Sequence, residues 1–185
     1  LNGLAWDGTP RIDTWLTDHL GANETAYTRA IGRKFLISAV ARAMKPGCKV
    51  DTMLVLEGEQ GIGKSQTLQA LAEPWVLEEL SDMKSKDCKQ EIQGQWFVEV
   101  SELDAMRRNE IETVKAFTTK QVDTFRQSYG RFSKEHPRQC VLIGTTNSDK
   151  YLRDHTGNRR FWPVGCGVVD LVALRRDRDQ IWAEA

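Results

Sequence analysis

The chain has 185 residues, 40% hydrophobic and 28% charged, the balance of a globular protein able to bury a core. Its 26 basic and 26 acidic side chains cancel, so overall charge draws it neither to a polyanion nor to a membrane surface. The four cysteines (Cys48, Cys88, Cys140, Cys166) form no C-x-x-C pair and His19, His136 and His155 lie at no metal-ligand spacing, which disfavours a disulfide scaffold and a zinc site and predicts reduced thiols in a cytoplasmic protein.

No apolar run approaches the roughly 20 residues that span a bilayer, so no membrane partner is expected. The chain starts at Leu1 rather than Met and reaches Ala185 inside a helix-like stretch, as expected of a segment of a longer polypeptide.

In chain order, residues 11–45 read as helical. Ile12, Trp15, Leu16 and Leu20 repeat at helical spacing, as do Phe35, Leu36, Val40 and Met44, and Pro46-Gly47 ends the pattern. Thr52–Leu56 is an apolar run of strand length leading into a glycine-rich turn, and Gln66–Ala72 has helix formers before Pro74. Trp96–Val100 and Cys140–Ile143 are further strand candidates, with a predicted helix at Arg108–Thr118 between them. Val122–Arg138 is basic, carries Phe125, Tyr129 and Phe132, and has Gly130 near its middle, which suits a hairpin. Phe161–Val164 fits an edge strand because Pro163 is tolerated there, and an amphipathic helix follows from Asp170.

The turn reads Gly58-Glu59-Gln60-Gly61-Ile62-Gly63-Lys64-Ser65, the G-x-x-x-x-G-K-[ST] pattern in its strand-turn-helix setting, with Gln66 next. Glycines let the backbone close on phosphates with its N–H groups inward, and the following helix offers its positive end. Lys64 is expected at the β- and γ-phosphates of ATP, and Ser65 beside Mg²⁺. Hydrolysis also needs an acid near the metal and a carboxylate for water, both at strand ends facing this loop. Alternation puts Val98, Val100 and Glu102 on one face and Glu99 and Ser101 on the other. Position at the strand end favours Glu102, with Asp104 just beyond; Glu99, in mid-strand, is the rival. The alternative role of Glu102 and Asp104 is to cap the next helix.

Val141–Asn147 ends in Thr145, Thr146 and Asn147, and an Asn there can position a lytic water. Asn147-Ser-Asp-Lys150 is not the N-K-x-D that reads guanine, which disfavours a GTPase. Arg159 and Arg160 are candidate arginine fingers acting across a subunit boundary; the bland alternative is a solvated surface pair. Charge is also uneven: residues 51–112 carry 6 basic and 14 acidic groups, and residues 115–160 carry 10 basic and 4 acidic. In the basic part, Arg126, Arg131, Lys134 and Arg138 could follow a phosphate backbone while Tyr129 or Phe132 stacks on a base. The competing reading packs those aromatics inward.

With these motifs in order the chain resembles the virulence-associated protein E family, which is similar to superfamily 3 helicases and phage primase-helicases. The resemblance rests on Trp6-Asp7-Gly8, Arg42 with Pro46-Gly47, the loop at 58–65 and Val100-Ser-Glu-Leu-Asp104. It continues through Lys115–Thr118, Asp123–Arg126, Tyr129-Gly-Arg131, Gly144–Asn147, Gly157–Trp162 and Arg178–Ala185. It implies an AAA+-like α/β P-loop NTPase with a mainly parallel sheet, bound ATP and Mg²⁺, and a hexameric ring with ATP between subunits. Glu102 and Asp104 then match the metal site, Asn147 the polar strand end, Arg159 and Arg160 the arginine pair, and Lys115–Arg138 a DNA-contacting hairpin in the ring's channel. The expected layout is an N-terminal helical region at 1–48, an ATPase core at 49–166 and the start of a helical region at 167–185. The expected function is a DNA-dependent, helicase-type ATPase of phage or mobile-element replication acting on single-stranded or forked DNA. The alternative is an ATP-binding switch or assembly module that moves no nucleic acid.

Overall fold

The computed structural model describes residues 1–128, 130–148, 151 and 158–185. Among the described residues there are seven strands: β1 (Met53–Glu57), β2 (Val76–Leu77), β3 (Phe97–Val100), β4 (Val122–Phe125), β5 (Lys134–Pro137), β6 (Val141–Thr146) and β7 (Phe161–Gly165). The helices are α1 (Trp15–Leu20), α2 (Ala26–Met44), α3 (Lys64–Ala72), α4 (Lys86–Glu91), α5 (Arg108–Thr118) and α6 (Leu171–Glu184). Five strands form one sheet in the order β2-β3-β6-β1-β7 with every pairing parallel; β4 and β5 form a separate antiparallel hairpin. The fold is α/β with a parallel central sheet.

Such a sheet needs cover on both faces, and its strands are accordingly apolar almost throughout. On one face Leu54, Leu56, Phe97, Val141, Ile143 and Val164 join the apolar sides of α1, α2, α3 and α6. On the other, Met53, Val55, Val98, Val100 and Leu142 meet Cys88 and Ile92 at α4 and Ile111, Val114 and Phe117 of α5. The helices from residues 1–48 and from 167–185 therefore share a core with the sheet. Trp182 of α6 lies against Trp96 at 4.5 Å between ring centroids and donates its indole N–H to the Leu71 carbonyl of α3 at 2.8 Å.

The single predicted helix at 11–45 is two. Gly21 ends α1 in the left-handed conformation (φ 61°), and Thr25 opens α2 with a capping box to Thr28. At the far end of α2, buried Arg42 donates to the carbonyls of Val50, Lys120 and Arg138, while Gly47 N–H donates to Arg138 O at 2.9 Å. These bonds anchor the base of the hairpin. Among the described residues no helix is long and apolar enough to cross a membrane.

From β1 the chain runs through α3 to the far edge, returns by β3 and β6 to the flank of β1, and then places β7 on the other flank. The carboxyl ends of β3, β6 and β1 thus lie side by side where the strand order reverses. That crevice is where open parallel sheets bind ligands.

Candidate functional site

The glycine-rich turn leaves β1 at Glu57 and enters α3 at Lys64. Gly61 and Gly63 hold φ of 84° and 101°, a region that a side chain would strain. Gly58 is needed for space as well: a Cβ there would lie 2.7 Å from Ile62 Cδ1 and 3.0 Å from the Cys166 carbonyl. Lys64, 8% exposed, is wrapped by its own loop. Its Nζ donates to Gly58 O at 2.6 Å, Glu59 O at 2.7 Å and Asn147 Oδ1 at 3.1 Å. Burial lowers the Lys64 pKa, opposed by the neighbouring Cys166, Asp104 and Glu99. No side chain caps α3, so its first-turn N–H groups remain available to an anion.

Strand position favours Glu102 as the acid beside Ser65, but the structure brings Glu99 there instead. Glu99 Oε1 accepts from Ser65 Oγ at 2.7 Å and from Thr145 Oγ1 at 2.7 Å, and the residue is 3% exposed. The reason lies in the faces of the sheet. Alternation is as expected, but α3 covers the face of Phe97 and Glu99, so mid-strand Glu99 points at the first turn of α3. Glu102 lies past the strand end, exposed, with a left-handed φ of 53°. It lines the same cleft. That cleft, about 320 Å³, is walled by Gln60, Lys64, Ser65, Glu99, Glu102 and Asn147 among others. A larger cavity of about 530 Å³ sits among Trp75, Trp96 and Trp182, away from this polar cluster.

Asp104 is drawn to the end of β6. Its Oδ1 accepts from Thr146 Oγ1 at 2.8 Å and from the Asn147 backbone N–H at 3.4 Å. The Thr146 hydrogen bond is the main reason its carboxyl lies below the usual range. Residue type alone does not mark Thr145 as the second donor to Glu99. Alternation does, since Val141, Ile143 and Thr145 fall on the α3 face of β6.

Arg159 and Arg160 are not brought to this cleft within the chain. They form a 3₁₀ turn just before β7, and Phe161 pairs with Met53 at the start of β1. The glycine-rich loop follows the opposite end of β1, about 13 Å further along at ~3.3 Å per residue. Arg159 is exposed there.

The predicted hairpin is present, with Val122 opposite Pro137 and Phe125 opposite Lys134. Arg126, Arg131 and Lys134 are exposed, and Phe132 is 78% exposed; Tyr129 lies outside the described residues. Phe125 packs inward and stacks on His136 at 4.2 Å. Arg138 departs from expectation. It is buried, its Nε and Nη2 bonded to Asp123 at 2.5 and 3.0 Å, so it braces the hairpin base and is not free to follow a phosphate chain. Ser128 donates through both N–H and Oγ to Gln90 Oε1, tying the hairpin to α4.

The model of the virulence-associated protein E-like domain matches residues 1–185, and the chain belongs to that family. Among solved structures it is similar to the C-terminal region of NrS-1 in its A-form apo structure, with a TM-score of 0.67 and 14% identity over 98% of this chain. A second structure of that region, covering residues 305–718, gives a TM-score of 0.64 at 14% identity. At such identity the likeness is one of fold. The chain spans about half of each of those structures, 46% of their length. No curated protein matches the sequence.

Proposed function

We propose, from its membership of the virulence-associated protein E-like family, that this chain is an ATP-hydrolysing motor of helicase type acting on DNA in phage or mobile-element replication. One observation carries the reading: the loop at 58–65, Glu99 and Asn147 converge at the ends of three adjacent parallel strands, joined by the Ser65–Glu99 and Lys64–Asn147 contacts. The fold is thereby read as that of a P-loop NTPase.

In this reading the glycine turn and the start of α3 cradle the phosphates of ATP. The Lys64 ammonium, held by loop carbonyls, transfers its hydrogen bonds to β- and γ-phosphate oxygens. The all-oxygen pair of the Ser65 hydroxyl and Glu99 carboxylate suits Mg²⁺, with Glu102 and Asp104 at the same end of the sheet. When bound, the ion neutralises charge that develops on the phosphates. A carboxylate must also orient or deprotonate water, and Glu99, fixed by two hydroxyl donors, is better held for that than Glu102. The Asn147 amide then positions the same water or senses the γ-phosphate. Arg159 or Arg160 can serve only from a neighbouring copy, which favours a ring, a hexamer by family resemblance, with ATP between subunits. The exposed Arg126, Arg131, Phe132 and Lys134 supply charge and a stacking face for single-stranded DNA.

The test is ATP turnover with and without single-stranded DNA at low salt. Turnover that rises with DNA, falls with added salt and is abolished by Lys64→Ala is expected. If Lys64→Ala turns over as fast as the parent, the site is elsewhere. ATP binding with no single-strand binding at low salt would instead favour a nucleotide switch.

A further inference from the structure

The segment after β3 makes a sharp excursion that the hydrolysis reading does not use. Glu102 adopts a left-handed φ of 53°, unusual for a residue with a side chain, and so carries strain that its surroundings must offset. The turn throws the chain across the end of β6. Leu103 N–H donates to the Thr145 carbonyl at 3.3 Å, and its fully buried side chain presses on Gly144, where a Cβ would meet Leu103 Cδ1 at 2.6 Å. The next residue, Asp104, takes the Thr146 hydroxyl at 2.8 Å and the Asn147 N–H at 3.4 Å. Thr146 Oγ1 accepts from Ser148 N–H at 3.2 Å, and Ser148 O, at 2.9 Å, is the second acceptor within reach of its single proton. Asn147 is therefore gripped through its own backbone and both flanking residues, while its amide oxygen reaches Lys64 at 3.1 Å.

We infer that Asp104 is a positioning residue, which fixes Asn147 against Lys64 through Thr146 and the Asn147 backbone, rather than a ligand of the metal. The inference rests on the hydrolysis reading for its consequence and on hydrogen bonds for its mechanism. A carboxylate suits the task, because its oxygen accepts both N–H and O–H at once, and a charged acceptor makes stronger bonds than a neutral one. Asp104 holds only the backbone of Asn147, so the side-chain amide is left to Lys64 and the nucleotide. Loss of Asp104 lets Asn147 drift, and a misplacement of about 1 Å in a catalytic group costs roughly 100-fold in rate.

The experiment uses the parent, Asp104→Ala, Thr146→Val, Thr146→Ser, Asn147→Ala and the Asp104→Ala/Asn147→Ala pair, with kcat, KM for ATP and half-saturating Mg²⁺ measured for each. Asp104→Ala and Thr146→Val are expected to lower kcat roughly 100-fold with KM and Mg²⁺ demand unchanged. Thr146→Ser, which keeps the hydroxyl, retains the parental kcat. On the Asn147→Ala background Asp104→Ala costs nothing further. A rise in half-saturating Mg²⁺ for Asp104→Ala would make it a metal ligand, and additive losses in the pair would separate it from Asn147; either overturns the inference. The Asn147 side-chain amide resonance, followed by NMR without nucleotide, needs no turnover. It shifts in Asp104→Ala if Asp104 fixes Asn147, and an unmoved resonance refutes that. A parent that turns over no ATP would refute the hydrolysis reading, while this resonance still decides the role of Asp104.

Discussion

Replacing Asp123 with alanine tests how the basic hairpin is held. Asp123 and Arg138 are 1% and 3% exposed, and the guanidinium meets both carboxylate oxygens. Its third nitrogen donates to the Phe117 carbonyl at 2.6 Å, and its central carbon stands 3.9 Å from the Phe117 ring centroid. Asp123→Ala removes the counter-charge and leaves the arginine buried. Breaking a buried pair from one side costs about 3–5 kcal/mol, because the remaining charge has lost both water and partner. The carbonyl and the ring still solvate part of the guanidinium, which puts the expected loss near the lower end, about 3 kcal/mol. In a chain of 185 residues each kcal/mol moves Tm by about 2–4 °C, so a fall of about 6–12 °C is expected. Urea unfolding should show a lower midpoint at constant m. Asp123→Ala with Arg138→Met should recover much of the loss, since both charges then leave together. If Arg138 were a phosphate contact, Asp123→Ala would instead release it, tightening single-stranded DNA binding at a stability cost of about 1 kcal/mol or less. That pair of results would refute the reasoning.

Glu99→Gln should reduce ATP turnover by about 100-fold or more while leaving Tm nearly unchanged, and Glu102→Gln should cost less than about tenfold; the reverse order would restore Glu102 as the principal acid. At the hairpin, Phe132→Ala should weaken single-strand binding by about 1–3 kcal/mol with an unchanged salt slope, whereas Arg131→Ala should lower the slope by about one in a salt titration. His19 links stability to pH. Burial holds its pKa below the ordinary 6.5 despite the nearby Asp177 carboxylate, so the unfolded chain takes up a proton first. Its contribution is complete above 6.5 and is lost as pH falls through the lower folded value. Urea midpoints at pH 7.5 and 5.5 should therefore differ more in the parent than in His19→Gln, and equal slopes would dismiss His19 as the source.

Much of the fold is written in local patterns. Met53–Glu57, Phe97–Val100 and Val141–Thr146 are apolar runs bounded by turns, and Arg108–Thr118 has helical spacing, so each is readable without its neighbours. Two elements are not. Val76–Leu77 is two residues of edge strand, and Lys86–Glu91 buries only Cys88, so neither carries a periodic signal. Gly21 ends α1 in the left-handed conformation, and a Cβ there would lie only 3.0 Å from the Val168 backbone. That contact joins residues far apart in the chain, and no window of sequence contains it. Arg138 is misread for the same reason. Residue type gives an arginine on a basic hairpin, and only the paired strands show that Asp123 lies within its reach.

The site divides along the same line. The loop at 58–65 is legible because every fixed position answers to local geometry: left-handed glycines, a helix start, a lysine able to fold back on its own carbonyls. The choice between Glu99 and Glu102 is not local. Alternation correctly separates the two onto different faces but says nothing of which face α3 covers, and Ser65 goes with α3. Once α3 lies over Phe97, the carboxylate two residues on is the one within 2.7 Å of the serine, and Thr145 on the neighbouring strand must share that face to donate to it. Glu102 is then released from the sheet to make the left-handed turn that carries Asp104 to Thr146 and Asn147. One decision of packing, the side of the sheet on which the first helix after the loop lies, thereby sets the partners of both acids.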